Sequence, residues 1–323
     1  MAAAVRWTPV PDPAPGRRLA IRRLAMGAVG VVIVLAAVLL VRAPVPATSA
    51  PGAGVAGTDP EAAPHTHVGM AGMVGMTGAA VPIGGTAASA GGYTFVPAVT
   101  SLAAGEPGTF RFHIQGPDGR AVTRFAIVQD RPLHLVVVRH DLTGFQHLHP
   151  TMAPDGTWSV TLTLAVPGTY RAYADFSALD AKGNAVAAVL GVDFTAAGNG
   201  NAAGNGSSST APLPPPSTVD TVDGLTVSYV GTPRSGVTEP LLFSIRSADG
   251  RPVTPEPYLG TYGHLVVLRP SDLGYLHVHP EPQLSGGAVK FWLAAPGTGD
   301  FRVYLDFQVA GVVHTAAFTI TVT

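Results

Sequence analysis

Three histidines recur in this 323-residue chain at one fixed spacing. Phe145-Gln146-His147-Leu148-His149-Pro150 returns as Tyr275-Leu276-His277-Val278-His279-Pro280. Each copy follows a run led by another histidine, His134-Leu135-Val136-Val137 and His264-Leu265-Val266-Val267, thirteen positions before the first histidine of the pair. Neutral imidazole is a ligand for Zn, Cu(II) and Ni, and three histidines with an open position suit Zn or Cu. In an H-x-H on a strand both rings project from one face, because side chains alternate with a period of two. The leading histidine lies on the preceding strand, and the short connection through Gly144 or Gly274 suits a hairpin that brings it alongside. Register decides whether it shares the face, since a slip of one residue inverts it. The expected metal ligands are therefore His134, His147 and His149 in one copy and His264, His277 and His279 in the other. The competing reading is structural, with the histidines packed at a sheet edge and each Pro ending its strand. Fixed spacing in two copies with diverged neighbours favours ligands.

Two further patterns bear on the same chemistry. Arg171-Ala172-Tyr173-Ala174-Asp175-Phe176 matches Arg302-Val303-Tyr304-Leu305-Asp306-Phe307, so Arg, Tyr and Asp share one strand face in each copy. If that face is also the histidine face, Asp175 and Asp306 can complete a site or accept the second imidazole N–H and fix its tautomer. Upstream, His65-Thr66-His67 is followed by Met70, Met73 and Met76, three of the chain's six methionines at a spacing of three. Thioethers are soft ligands suited to Cu(I). Together these features point to copper, with zinc as the alternative. His113, His140 and His314 have no histidine counterpart in the other copy and are assigned surface or packing roles.

Composition narrows the chemistry. The chain has no cysteine, which excludes disulfides, thiolate metal sites and a catalytic thiol. The first 42 residues hold six Arg against one Asp, leaving 13 basic and 19 acidic residues elsewhere, so nucleic acid is not an expected partner. No Ser-His-Asp order, phosphate-binding Gly loop or paired-carboxylate motif supports hydrolysis or phosphoryl transfer.

The elements that must position the histidines are strands. Only 12% of residues are charged, Gly and Pro are abundant, and Val and Thr cluster in short runs. Residues 1–23 read as a cytoplasmic Arg-rich tail, and 24–41 as a transmembrane helix without a charge. A cleavable signal peptide is the alternative, with small residues at Ala47-Thr48-Ser49-Ala50. Residues 42–92 read as a disordered stalk carrying the His/Met segment 65–76. Residues 93–195 and 219–323 read as two tandem immunoglobulin-like β-sandwich domains, giving an all-β protein. A Gly/Asn/Ser/Pro linker, 196–218, joins them. Expected strands in the first domain are 108–114, 126–129, 133–139, 147–149, 157–164, 168–176 and 185–194. Those in the second are 241–245, 264–269, 276–279, 289–293, 300–307 and 312–322.

The repeated HLVVVR…GFQHLHP and HLVVLR…GYLHVHP blocks resemble exported two-repeat proteins of GC-rich bacteria whose sandwich domains are associated with heavy-metal handling. The segment His65, His67, Met70, Met73 and Met76 resembles the methionine motifs of extracytoplasmic copper carriers and transporters. Copper-zinc superoxide dismutases and cupins also carry H-x-H on a β fold. The former's disulfide and the latter's following Glu and second His motif are not matched here.

These readings make the chain a single-pass membrane protein with its domains outside the cytoplasm, or a secreted one after cleavage. It is expected to bind copper for capture, delivery or resistance without turnover, possessing as partners the metal ion, the membrane through 24–41 and a metal-transport or chaperone protein. The alternatives are a surface interaction module with structural histidines and a copper-dependent redox enzyme.

Overall fold

The structure is a computed structural model that describes residues 83–198 and 212–323 except His277, with His279 described through its backbone alone. No helix among the described residues is long and apolar enough to cross a membrane. The expected span 24–41 and the His/Met segment 65–76 lie outside the described residues.

The described chain is all-β, in two sandwiches. The first contains β1 (Ser89–Ala90), β2 (Tyr93–Pro97), β3 (Ser101–Ala103), β4 (Pro107–Gln115) and β5 (Leu133–Arg139). It continues with β6 (Gln146–Leu148), β7 (Thr151–Met152), β8 (Trp158–Thr163), β9 (Gly168–Leu179) and β10 (Ala185–Ala197). One sheet runs β1-β2-β4-β8-β7 and the other β3-β10-β9-β5-β6. The second sandwich contains β11 (Val219–Val222), β12 (Leu225–Val230), β13 (Thr238–Arg246), β14 (Pro252–Val253) and β15 (His264–Arg269). Then follow β16 (Gly274–Leu276), β17 (His279–Pro280), β18 (Val289–Ala294), β19 (Gly299–Val309) and β20 (Val312–Val322). Its sheets run β11-β12-β13-β18-β17 and β16-β15-β19-β20. In both, the sequential strands fall into the order A-B-E-D on one sheet and C′-C-F-G on the other, which is the immunoglobulin arrangement.

Each sandwich closes on its own aromatic core. Phe95, Phe110, Phe112, Trp158, Tyr170 and Phe194 fill the first, and Phe243, Phe291, Phe301, Phe307 and Phe318 the second. Alternation along β5 sends Leu133, Leu135 and Val137 into that core. His134, Val136 and Val138 take the opposite face and are buried as well. A third apolar cluster explains this: Val136, Val138, Leu142 and Tyr173 of the first repeat pack with Val266, Leu268, Leu273, Tyr275 and Tyr304 of the second. The contact is reciprocal, as in a two-fold interface. Tyr173 donates its hydroxyl to the Leu273 carbonyl at 2.7 Å, and Tyr304 donates to the Leu142 carbonyl. Burying a large apolar side chain is worth about 1.5–3 kcal/mol, so this cluster joins the repeats without any ion.

Several expected boundaries change. Residues 84–92, assigned to the stalk on composition, belong to the fold. Gly84 and Tyr275 exchange backbone hydrogen bonds at 2.9 Å, Gly85 donates to Val189, and Gly191 donates to Ala87. This strap therefore pairs with a strand edge of each repeat, satisfying backbone groups that composition does not reveal. The expected linker is trimmed at both ends, because β10 reaches Ala197 and Leu213 packs on the inter-repeat cluster. The expected strand 126–129 is absent. Gln129 and Asp130 have φ of 47° and 59°, and Val128 and Arg131 exchange backbone hydrogen bonds, so the chain turns there. Short strands β1, β2, β3, β7, β11, β12 and β14 were not anticipated from the sequence.

Candidate metal centre

The register left open by the sequence is settled by the pairing of β5 with β6: Leu135 faces Leu148, Val136 faces His147, and Val137 faces Gln146. Val136 lies two residues from His134, and His147 two from His149, so all three histidines share the outer face. Leu148 takes the inner face and packs on the core. Pairing of β5 with β9 places Asp175 opposite His134 and Tyr173 opposite Val136, so the Arg/Tyr/Asp face is the histidine face. In the second repeat β15 and β16 hold the equivalent register, with Val267 facing Leu276 and His264 facing Asp306 on β19.

The outer face is the one that meets the other repeat, and this assembles the site. One ligand atom from each of His134, His147 and His149 lies within 4.8 Å of the others. The ring of His264 lies 4.3 Å from that of His147 and 5.1 Å from that of His134, centroid to centroid. His147 Nδ1 is 2.8 Å from a carboxylate oxygen of Asp306 in the second repeat, and their side chains are only 2% and 4% exposed. Asp306 also accepts from the Thr315 hydroxyl at 2.5 Å. A buried carboxylate needs such partners to offset its lost hydration.

The hydrogen bonds define which nitrogens face inward. His134 Nε2 is 3.1 Å from the Val128 carbonyl, which can only accept, so that nitrogen carries a proton. His147 Nδ1 donates to the Asp306 carboxylate. What remains is His134 Nδ1 and His147 Nε2, facing each other at 3.0 Å. Two neutral imidazoles with their protons committed outward leave two lone pairs opposed, and that gap must be filled by one further proton or by a cation. His149 Nε2 adds a third nitrogen that is buried and has no hydrogen-bond partner. Burial, reinforced by His147, His134 and Arg131, pushes the His149 pKa down to about 3. The His149 ring is therefore neutral at neutral pH, with one of its two nitrogens offering a lone pair.

Two loops close over the histidines. Val128 and Arg131 bracket one turn, and the same backbone exchange between Tyr258 and Thr261 brackets the equivalent turn of the second repeat, with Leu259 and Gly260 at positive φ. A Cβ on Gly260 would stand 3.4 Å from the Asp130 carboxylate, so the two turns meet. The Tyr258 hydroxyl is pushed up to about 12 by burial and then by the Asp306 charge.

Of the residues singled out in the sequence, the structure brings together His134, His147, His149, His264 and Asp306. Asp306 supports a histidine of the other repeat. Asp175 accepts from the Tyr275 hydroxyl, whose pKa burial and that carboxylate raise well above its ordinary value. His277, the side chain of His279, and the segment with His65, His67, Met70, Met73 and Met76 lie outside what is described. His140 and His314 sit apart on exposed pairs with Asp193 and Asp223. The Val128 carbonyl, Arg131 and Tyr258 were missed, because nothing in a turn sequence marks a carbonyl acceptor.

A family described as "Domain of unknown function (DUF8832)" matches residues 88–193 and again 220–323. No curated protein matches the sequence. Among solved structures, the Escherichia coli adhesin FdeC is similar at 18% identity and a TM-score of 0.23, over 73% of this chain and 65% of that one. Elastase-activated Escherichia coli alpha-2-macroglobulin is similar at 14% and 0.24, over 72% of this chain and 20% of that one. The D00-D0 domain of Intimin is similar at 10% and 0.20, over 69% and 95%. The chain thus spans less than two thirds of the first two. The two sandwiches are immunoglobulin-like in their strand order.

Proposed function

The chain belongs to the family described as a domain of unknown function, DUF8832, which it carries twice, and from that premise we propose that it is a metal-binding protein whose ion is held by His134, His147 and His149. The observation that carries this reading is the opposed pair His134 Nδ1 and His147 Nε2, 3.0 Å apart, each ring held by its other nitrogen. A metal-bound imidazole characteristically donates its second N–H to a carboxylate or carbonyl, and here both acceptors are in place. Three nitrogens without a thiolate suit Cu(II) or Zn(II).

Copper is the first choice and zinc the alternative, because Met70, Met73 and Met76 offer thioethers for Cu(I) in the same chain. With residues 24–41 as a membrane anchor, the two domains stand outside the cytoplasm and take up copper for capture, delivery or resistance, by equilibrium binding without turnover. A metal-transport or chaperone protein is the corresponding partner.

The test is calorimetric titration of the full chain with Cu(II) and with Zn(II), repeated on a variant in which Met70, Met73 and Met76 are Leu and His65 and His67 are Ala. Binding that survives in this variant and is lost on adding His147→Ala and His149→Ala supports the reading. Absence of binding by the unaltered chain overturns it, and leaves the histidines as packing residues of an interaction module.

A further inference from the structure

We propose that the centre is shared between the repeats, with His264 as its fourth ligand and Asp306 as its outer support, so that one ion is held by both domains together. This rests on the metal-binding reading above.

Three observations carry it. The His264 ring is closer to His147, at 4.3 Å, than are His149 at 4.8 Å and His134 at 5.2 Å, although those two belong to the same repeat as His147. His264 reaches this place because it is the counterpart of His134 on β15, and the reciprocal contact sets the histidine faces of β5 and β15 against each other. Second, the carboxylate that orients His147 comes from β19 of the second repeat, not from Asp175 of its own. Phe145, at the position of Tyr275 in the second repeat, stacks on Tyr304 with rings 4.0 Å apart. Third, the covering turns come one from each repeat and meet at Asp130 and Gly260.

A fourth nitrogen changes the kind of site. Four protein ligands make a closed tetrahedral centre, the form in which ions are held rather than used, while catalytic centres keep a position open. The shared centre therefore stores or transfers an ion and gives a physical reason for two copies of the domain. It also links ion binding to the seam between the repeats.

Cobalt(II) titrated into the full chain, followed by visible absorption, tests this, because tetrahedral Co(II) absorbs far more strongly than Co(II) with added water ligands. The expected result is one equivalent with intense bands. In His264→Ala the bands weaken and affinity falls by at least about tenfold, the lower bound of what even an outer-shell change costs. His264→Gln is the second variant, should Ala fail to fold by circular dichroism. Two results overturn the proposal while leaving the metal-binding reading intact. One is His264→Ala or His264→Gln indistinguishable from the unaltered chain, with His149→Ala abolishing the bands. The other is two equivalents of which the His264 variant loses one and keeps the other unchanged, showing separate sites. No binding by the unaltered chain overturns both readings.

Discussion

His147 and Asp306 lie 159 residues apart in different domains, and His147 Nδ1 donates to the Asp306 carboxylate at 2.8 Å in a nearly dry seam. The bond fixes the tautomer of His147 and turns its other nitrogen toward His134. It also ties the geometry of the first repeat's histidines to the strand β19 of the second.

Asp306→Asn tests that support. Asn keeps an acceptor for His147 but removes the charge, so metal affinity is expected to fall by about 10–100-fold, as for other outer partners of ligating histidines. Calorimetric titration measures it, and Asp193→Asn, on an exposed pair with His140, serves as the control expected to leave affinity unchanged.

Metal uptake should displace a proton. Three hydrogen bonds in the series Val128 carbonyl, His134, His147, Asp306 require three protons on two imidazoles and a carboxylate, one more than two neutral rings carry. An ion seated between His134 Nδ1 and His147 Nε2 takes the place of the central one, so about one proton is released per ion bound. Titrations in buffers of different ionisation enthalpy count it. A heat of binding independent of buffer would show that the central position holds no such proton.

The reciprocal tyrosines contribute to the alkaline limit of the fold. Burial raises the Tyr173 hydroxyl above its ordinary range, and burial pushes that of Tyr304 up to about 12. Both are neutral donors in the folded state, while an unfolded tyrosine ionises near pH ~10. Their contribution is complete below that pH and is lost as pH rises through the folded pKa, so stability declines from about pH 10 upward. Tyr173→Phe or Tyr304→Phe should each cost about 0.5–1.5 kcal/mol at neutral pH and reduce the alkaline slope. Urea unfolding across pH measures both effects.

Gly191→Ala should release the strap. A Cβ there would stand 1.9 Å from the Gly85 carbonyl oxygen, and the clash is with backbone that no rotamer change relieves. Overpacking of this kind costs about 1–3 kcal/mol. Faster proteolytic cleavage near Gly84 and Gly85, with the cores of both sandwiches intact by hydrogen exchange, is the expected outcome.

Much of the architecture was readable from local pattern. The strands β4, β5, β8, β9 and β10 and their counterparts β13, β15, β18, β19 and β20 announce themselves by apolar alternation and by turns such as Pro154-Asp155-Gly156. The run Leu135 to Val138 carried a further sign, since an unbroken apolar stretch marks a strand buried on both faces; the second face proved to be the seam. Strands of two or three residues such as β1 and β7 carry too few side chains to show a period. The turn at Gln129 and Asp130 lacks the glycine that usually marks positive φ.

The register of β5 against β6 and β9 was needed to bring His134 and the Arg/Tyr/Asp face to the H-x-H pair. The sequence by itself determined the duplication, the immunoglobulin-like sandwiches, and the shared face of His147 and His149. Those properties follow from side-chain alternation and spacing, which are local. Only the tertiary structure decided that the two histidine faces meet, that Asp306 serves His147, and that His264 stands beside the first set. Contacts across more than a hundred residues depend on which outer faces are apolar enough to pack together. Here Val136, Val138, Val266 and Leu268 supply that packing, and the histidines on the same faces are carried into one place with them.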